Sequence, residues 1–419
     1  MLGIISDREV ALKLDEDDKL KHFREKFHFP DYVDDIIYLN GNSLGLQPKD
    51  TEKYVLKELK DWKKYGVEGH FESETPWLPY HEFLSKPIAK IVGAMDDEVV
   101  IMNTLTVNLH LLMVSFYNPK GKRNKILIEK SAFPSDIYAI KSQIQFRGLD
   151  PKEVLIELEN DMDVEISNQK IKEIIEMNKD TLSLIMLGGV NYYSGQTFDM
   201  KSIVEWGHNY GITVGFDLAH AIGNVELNLH DWNVDFAVFC TYKYLNSGPG
   251  SVGGVFIHRK MINKNVHRFA GWWGHDKDTR FLMEDKFKPI NTAEGWQLSN
   301  PPILSLAAIL ASMEIFEEAK MTNLIEKRKK MIKFAREILL ELDDKIIIIT
   351  PNNNLSGSQL SIRILNHAKE IYQKLKDNGV VCDWREPDII RVAFVPLYNS
   401  FMDILRFKEI LMKVLKRES

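Results

Sequence analysis

An aspartate and a lysine, Asp217 and Lys243, stand 243 − 217 = 26 residues apart within the stretch 212–258. Each follows a short apolar run: residues 212–216 lead into Asp217, and residues 236–240 come just before Lys243. Such runs read as buried parallel strands. After the lysine, SGPGSVGG makes a glycine-rich turn into a third run, 255–258. The carboxyl ends of neighbouring strands in an open α/β sheet face the crevice where ligands sit. A lysine there can hold an aldehyde as a Schiff base, and an aspartate can keep a pyridine nitrogen protonated so that the ring accepts electrons. That is the chemistry of pyridoxal phosphate. Taken alone, an Asp and a Lys at strand ends are more often a surface pair or a helix-cap contact.

Other residues could serve the same site. Asn103 and Thr104 are cap-type residues ahead of a helical period formed by Leu105, Leu109, Leu112, Met113 and Phe116. Leu105 and Thr106 then fall in the first turn, where free N–H groups and the helix dipole favour a phosphate; a simple N-cap is the plainer reading. In KSAFPSD, Phe133 suits either stacking on a ring or filling a core, Pro134 fixes the turn, and Ser135 and Asp136 follow. YLNGNSLGLQP is a tight loop whose glycines let backbone approach a ligand or another chain. His70 lies in an irregular stretch and reads equally as a surface histidine. Trp272 is one of two adjacent tryptophans, usually a core or interface feature. Arg391 lies inside an apolar strand; a buried lone arginine is costly unless paired, so an acidic ligand or partner is expected.

The elements that must position these groups read as follows. Strand–helix alternation between residues 125 and 258 predicts an α/β fold, a mostly parallel doubly wound sheet in a large domain. Beyond Lys260 the alternation stops, and the end of the chain reads as a small α+β C-terminal domain, with strands near 345–350, 358–364, 380–382 and 389–394. Residues 1–37 read as helical, and a helix from 303 to about 340 shows no strong breaker. The expected division is an N-terminal arm, 1–60, packing with the small domain, a large cofactor-binding domain, 61–300, and the small domain, 301–419. The 419 residues are 44% hydrophobic and 27% charged, ordinary for a globular protein with a sizeable core. A net charge of −6 gives no footprint for nucleic acid. No stretch of about 18 apolar residues predicts a membrane span. Cys240 and Cys382 provide neither a disulfide framework nor a metal spacing, which fits a reducing cytoplasm.

The segment FDLAHAIGNVELNLHDWNVDFAVFCTYKYLNSGPG resembles the cofactor-lysine region of kynureninases, which are pyridoxal-phosphate enzymes of the aminotransferase-like fold type I. The likeness returns in YLNGNSLGLQP, TLTVNLHLLMVSFY, KSAFPSDIYAI, GWWGH, LSNPP and IRVAFVPLYNS, and so covers residues 38–400. It implies hydrolysis of the Cβ–Cγ bond of L-kynurenine or 3-hydroxy-L-kynurenine in tryptophan catabolism, with L-alanine as one product, by a cytoplasmic homodimer with shared active sites. It implies that Lys243 carries the Schiff base, that Asp217 binds the pyridine nitrogen, and that His220 lies beside the ring. Leu105, Thr106 and Tyr242 would contact the phosphate, with Tyr193 a further candidate, and Tyr242 would also donate a proton at Cβ. Phe133, Pro134, Ser135 and Asp136 would line the ring. Trp272, from the second subunit, and Asn300 would complete the pocket, while Arg391 would hold the substrate carboxylate. His70, Ser299 and Asn300 match relatives that prefer the hydroxylated substrate. One position departs: Gly188 stands where relatives carry a hydroxyl. No metal is implied.

Three alternatives weigh less. A cysteine desulfurase needs a mobile reactive cysteine, and Cys240 and Cys382 both sit in strand-like runs. A cofactor-binding protein without catalysis should lack the substrate groups. A nicotinamide dehydrogenase wants G-x-G-x-x-G after an early strand, and the chain has none.

Overall fold

A computed structural model describes residues 6–416 apart from 131, 161–164, 265 and 353–355. Seven strands build the main sheet: β1 (Val99–Ile101), β2 (Lys125–Glu129), β3 (Leu155–Leu158), β4 (Leu182–Gly188), β5 (Thr213–Asp217), β6 (Phe236–Phe239) and β7 (Gly254–Ile257). Their order is β1-β7-β6-β5-β4-β2-β3. From β3 to β6 every pairing is parallel. Runs such as ILIE, LIML and FAVF are buried on both faces, as a sheet covered by helices on each side requires.

The third apolar run of the central stretch is not parallel. β7 pairs antiparallel with both β6 and β1. The link from β6 holds no crossover helix, which a parallel return would need, so the chain turns back on itself. Glycine lets the returning strand pack closely: a Cβ on Gly254 would stand 2.5 Å from the ring of its register partner Phe239.

Outside the sheet, the N-terminal helical reading shortens to α1 (Asp7–Glu16), which starts with a capping box at Ser6 and Glu9. A 3₁₀ turn, Lys21–Lys26, follows, and then the strand Phe27–His28 pairs with Gln47–Pro48; residues 1–5 lie outside the described set. α2 (Thr51–Tyr65) packs on α5 (Ile303–Ala319), whose Leu306, Ile309, Met313 and Phe316 join the core under the main sheet. Between them in sequence lie α3 (Leu105–Phe116) and α4 (Pro134–Phe146). The long helix expected from 303 to 340 is two. It breaks at Lys320, whose φ of 64° reverses the chain before α6 (Met321–Leu339).

A separate core collects α6, α7 (Phe401–Lys416) and a four-stranded sheet of β8 (Ile346–Ile348), β9 (Gln359–Ile364), β10 (Asp383–Arg385) and β11 (Ile389–Ala393) in the order β8-β9-β11-β10. α1 joins it through the buried Ala11. The Asp15 carboxylate of α1 accepts the N–H groups of Phe401 and Met402 at 2.7 and 3.0 Å, capping α7 from a distance.

Candidate active site

Asp217 is the last residue of β5, and Lys243 lies in the turn after its parallel neighbour β6. β5 can approach β6 closely because residue 215 is glycine; a Cβ there would sit 2.3 Å from the Phe236 ring. The Lys243 turn is held from behind by YLNGNSLGLQP. The Gly45 N–H donates to the Tyr242 carbonyl at 2.9 Å, and a Cβ on Gly45 would stand 2.3 Å from the Lys243 carbonyl oxygen. The close backbone approach made by that loop is thus to the chain's own lysine turn. From the front, the Thr241 hydroxyl donates to the Val252 carbonyl at 2.6 Å.

These residues open on a cavity of about 220 Å³ lined by Leu105, Thr106, Glu129, Phe133, Ser135, Asp136, Gly188, Val190, Tyr192, Asp217, Ala219, His220, Tyr242 and Lys243. The Lys243 ammonium lies 5.9 Å from the centre of the Phe133 ring and 5.8 Å from that of Tyr242. Asp217 is turned inward, with Oδ1 accepting the Ala219 N–H at 2.7 Å. At another side two helices begin. α3 has no side-chain cap from Thr104, α4 opens with Pro134, and the hydroxyls of Thr106 and Ser135 join the two first turns at 2.8 Å. Two converging helix N-termini with joined hydroxyls make an anion site.

The electrostatics are those of a buried mixed-charge pocket. Burial, with Lys243 adding to it, pushes the His220 imidazole well below its usual range, so the ring is neutral. Burial and the neighbouring Asp217 hold Asp136 well above the usual carboxylate range. Burial also raises the Tyr242 phenol, which keeps its proton. Asp136 Oδ1 and His220 Nδ1 are buried in this wall without a hydrogen-bond partner. A buried polar atom without a partner is expensive unless something fills the site. An aldehyde-accepting amine, a carboxylate, an aromatic lid, an anion cradle and unsatisfied polar atoms together fit pyridoxal phosphate.

Arg391 is 1% exposed, and it is not alone. It forms an ion pair with Asp383, its register partner across β10 and β11, and donates to the Tyr192 carbonyl. The acidic partner expected for it is therefore a residue of the chain. Tyr192 connects it to the cavity, its ring meeting Phe133 edge-on at 5.2 Å. Tyr193 does not line the cavity; its carbonyl accepts the Ser361 hydroxyl at 2.6 Å. His70, Trp272, Ser299 and Asn300 also lie outside the cavity of the single chain. His70 packs edge-on against Trp77, and Trp272 is 42% exposed. The wall residues that sequence reasoning passed over are Glu129, Val190, Tyr192 and Ala219. Glu129 carries the same signal as Asp217, an acid closing an apolar run.

Comparison with known proteins agrees with this geometry. A family model described as the kynureninase C-terminal domain matches residues 324–411. A kynureninase of Christiangramia forsetii is 51% identical over 418 residues, 97% of each chain. The chain belongs to the kynureninase family. A kynureninase of Flavobacterium johnsoniae is 50% identical over 97% of each chain, and one of Myxococcus xanthus 49% over 95%. Among solved structures, a cysteine desulfurase of Thermococcus onnurineus superposes with a TM-score of 0.75 at 17% identity, covering 97% of this chain and 98% of that one. A C-DES mutant with glycine covalently linked to its PLP cofactor gives a TM-score of 0.75 at 15% identity, covering 91% and 99%. The fold of this kynureninase-family chain is thus that of fold type I PLP enzymes.

Proposed function

We propose that this chain binds pyridoxal phosphate and hydrolyses the Cβ–Cγ bond of L-kynurenine, 3-hydroxy-L-kynurenine or both, giving anthranilate or 3-hydroxyanthranilate and L-alanine. One observation supports it above the others. Lys243 and Asp217 share one cavity with an anion cradle, in a chain half identical to kynureninases along nearly its whole length. When bound, pyridoxal phosphate supplies an aldehyde for an amine and a pyridinium that takes up electrons released at Cα and Cβ. Lys243 would hold the aldehyde, and its amine would move the Cα proton of the substrate. Asp217 keeps a proton at the ring nitrogen. The first turns of α3 and α4, with Thr106 and Ser135, would bind the phosphate. Phe133 and the neutral His220 line the cavity wall and would hold the ring between them. Water adds at the γ-carbonyl; its oxygen ends in the aminobenzoate carboxylate, and the proton that Tyr242 gives ends on Cβ of alanine. Arg391, steadied by Asp383 and the Tyr192 carbonyl, holds the substrate carboxylate.

Two copies complete the site in this reading. Trp62, Trp77, Pro302, Ile303 and Leu304 line an apolar surface groove, with Trp62 63% exposed. His70 packs on Trp77, and Ser299 and Asn300 lead into Pro302. A second copy seated on this face would bring His70, Ser299, Asn300 and Trp272 to its own partner's cavity, where the first three favour the hydroxylated substrate. Nucleic acid has no part in the reading, given the net charge of −6. Among the described residues no helix is long and apolar enough to cross a membrane. The free buried thiols Cys240 and Cys382 suit a reducing cytoplasm. Adding each kynurenine to the purified protein tests the proposal: a fluorescent aminobenzoate and alanine should appear in equal amounts, at least as fast from 3-hydroxykynurenine as from kynurenine, and a protein that releases neither refutes it.

A further inference from the structure

Strands β2, β4 and β5 lie side by side and end in Glu129, Gly188 and Asp217. Gly188 is the register partner of Asp217, so a carboxyl on β2 must reach over the end of β4 to come near it. Glu129 does so: its two oxygens accept the Gly188 N–H at 3.1 and 3.3 Å. The Cβ that any other residue would put at position 188 would stand 2.9 Å from Glu129 Oε1. Glu129 is 3% exposed, yet it lines the cofactor cavity. The reaction described above gives it no task.

We infer that Glu129 is a positioning residue for Asp217: turned over Gly188, it carries a proton through the lower part of the working pH range and leaves the negative charge at the ring nitrogen to Asp217. This rests on the cofactor reading above. The reason is charge density. Glu129, Asp136 and Asp217 share one cavity with a single ammonium, Lys243. Buried carboxylates so close cannot all ionise, and the environment decides which keeps its proton. Glu129 faces Asp217 from β5 and Asp136 from α4, both acids. β4 offers it only the Gly188 amide, and its register partner on β3 is Leu158. Lys243 bears on Asp136. Burial pushes Glu129 up to about 7, the Gly188 N–H pulling the other way and the Asp217 charge adding to the rise. Loss of that proton would place a second anion beside Asp217.

The test compares native holoenzyme with Glu129→Gln, which keeps the shape and cannot ionise. The infrared spectrum of the native protein should show, about one pH unit below neutrality, a protonated carboxylic acid band that fades as pH rises and that the variant lacks. The alkaline fall of kcat should move to higher pH by about one unit or more in the variant. Gly188→Ala crowds the carboxyl without removing it and should release cofactor several-fold faster, a readout that remains if Glu129→Gln fails to fold. A native protein without cofactor absorbance sinks the site reading and this inference together. A native holoenzyme whose infrared band and pH profile are shared by Glu129→Gln sinks the inference alone, as does cofactor release from Gly188→Ala at the native rate.

Discussion

Asp217 and Lys243 were legible because one closes an apolar run and the other follows one by a short turn, and a charge at the end of a buried strand has to be aimed somewhere. Glu129 ends its strand in the same way, but no lysine follows at a telling distance, so nothing in its surroundings marks it. The acid that pairs Arg391 lies eight residues earlier, at 383, and only the antiparallel register of β10 on β11 makes the two partners. That register depends on DWR being a strand, and its polar pattern conceals this. Replacing Asp217 with asparagine removes the charge at the ring nitrogen and keeps the shape. The expected outcome is a loss of kcat on the order of 10³-fold, with much less change in KM. Steady-state kinetics with cofactor in excess checks it, and a loss below tenfold would place the ring nitrogen elsewhere.

The strand–helix alternation was read well because buried parallel strands are short, apolar and punctuated by helices of amphipathic period. The antiparallel return of β7 was not, since an apolar run says nothing of its direction. The break between α5 and α6 was hidden for another reason. Lys320 adopts φ 64°, a conformation that sequence reasoning assigns to glycine. Gly215 shows how an element sets the site. With Phe236 packed where a Cβ would stand, Gly215→Ala must push β5 off β6, two residues before Asp217. Overpacking of this kind costs about 1–3 kcal/mol. A lower urea midpoint with an unchanged slope should accompany faster cofactor loss; native stability would show that β5 accommodates the methyl freely.

At the scale of the whole molecule, a core on each face of the main sheet and a third around the smaller sheet share one chain, and the surface keeps an open apolar groove. Its shape was beyond the sequence, because α2 and the 302–305 segment are about 240 residues apart and meet only through α5 packing. On the proposed reading of two copies sharing their sites, Trp62→Glu should give monomers in sedimentation where the native protein gives dimers, and lose most turnover; an active monomer would refute the shared site. Stability also has a pH signature. Burial opposes the charge on Glu294, but hydrogen bonds from His81 and Lys277 outweigh it and hold the carboxyl at about 2. A depressed carboxyl stabilises the fold above its ordinary value of 4.5, and that stability, about 3 kcal/mol, is lost as pH falls from there towards 2. Glu294→Gln should flatten this part of the melting-temperature profile, and an unchanged acid limb would assign the loss to other groups.

The most direct measurement is chemical. The native protein is reduced with borohydride, digested, and the peptides are read by mass. A phosphopyridoxyl group should appear on Lys243 and on no other lysine, and prior incubation with kynurenine should lower its yield. A cofactor fixed to a different lysine, or none fixed at all, would contradict the account.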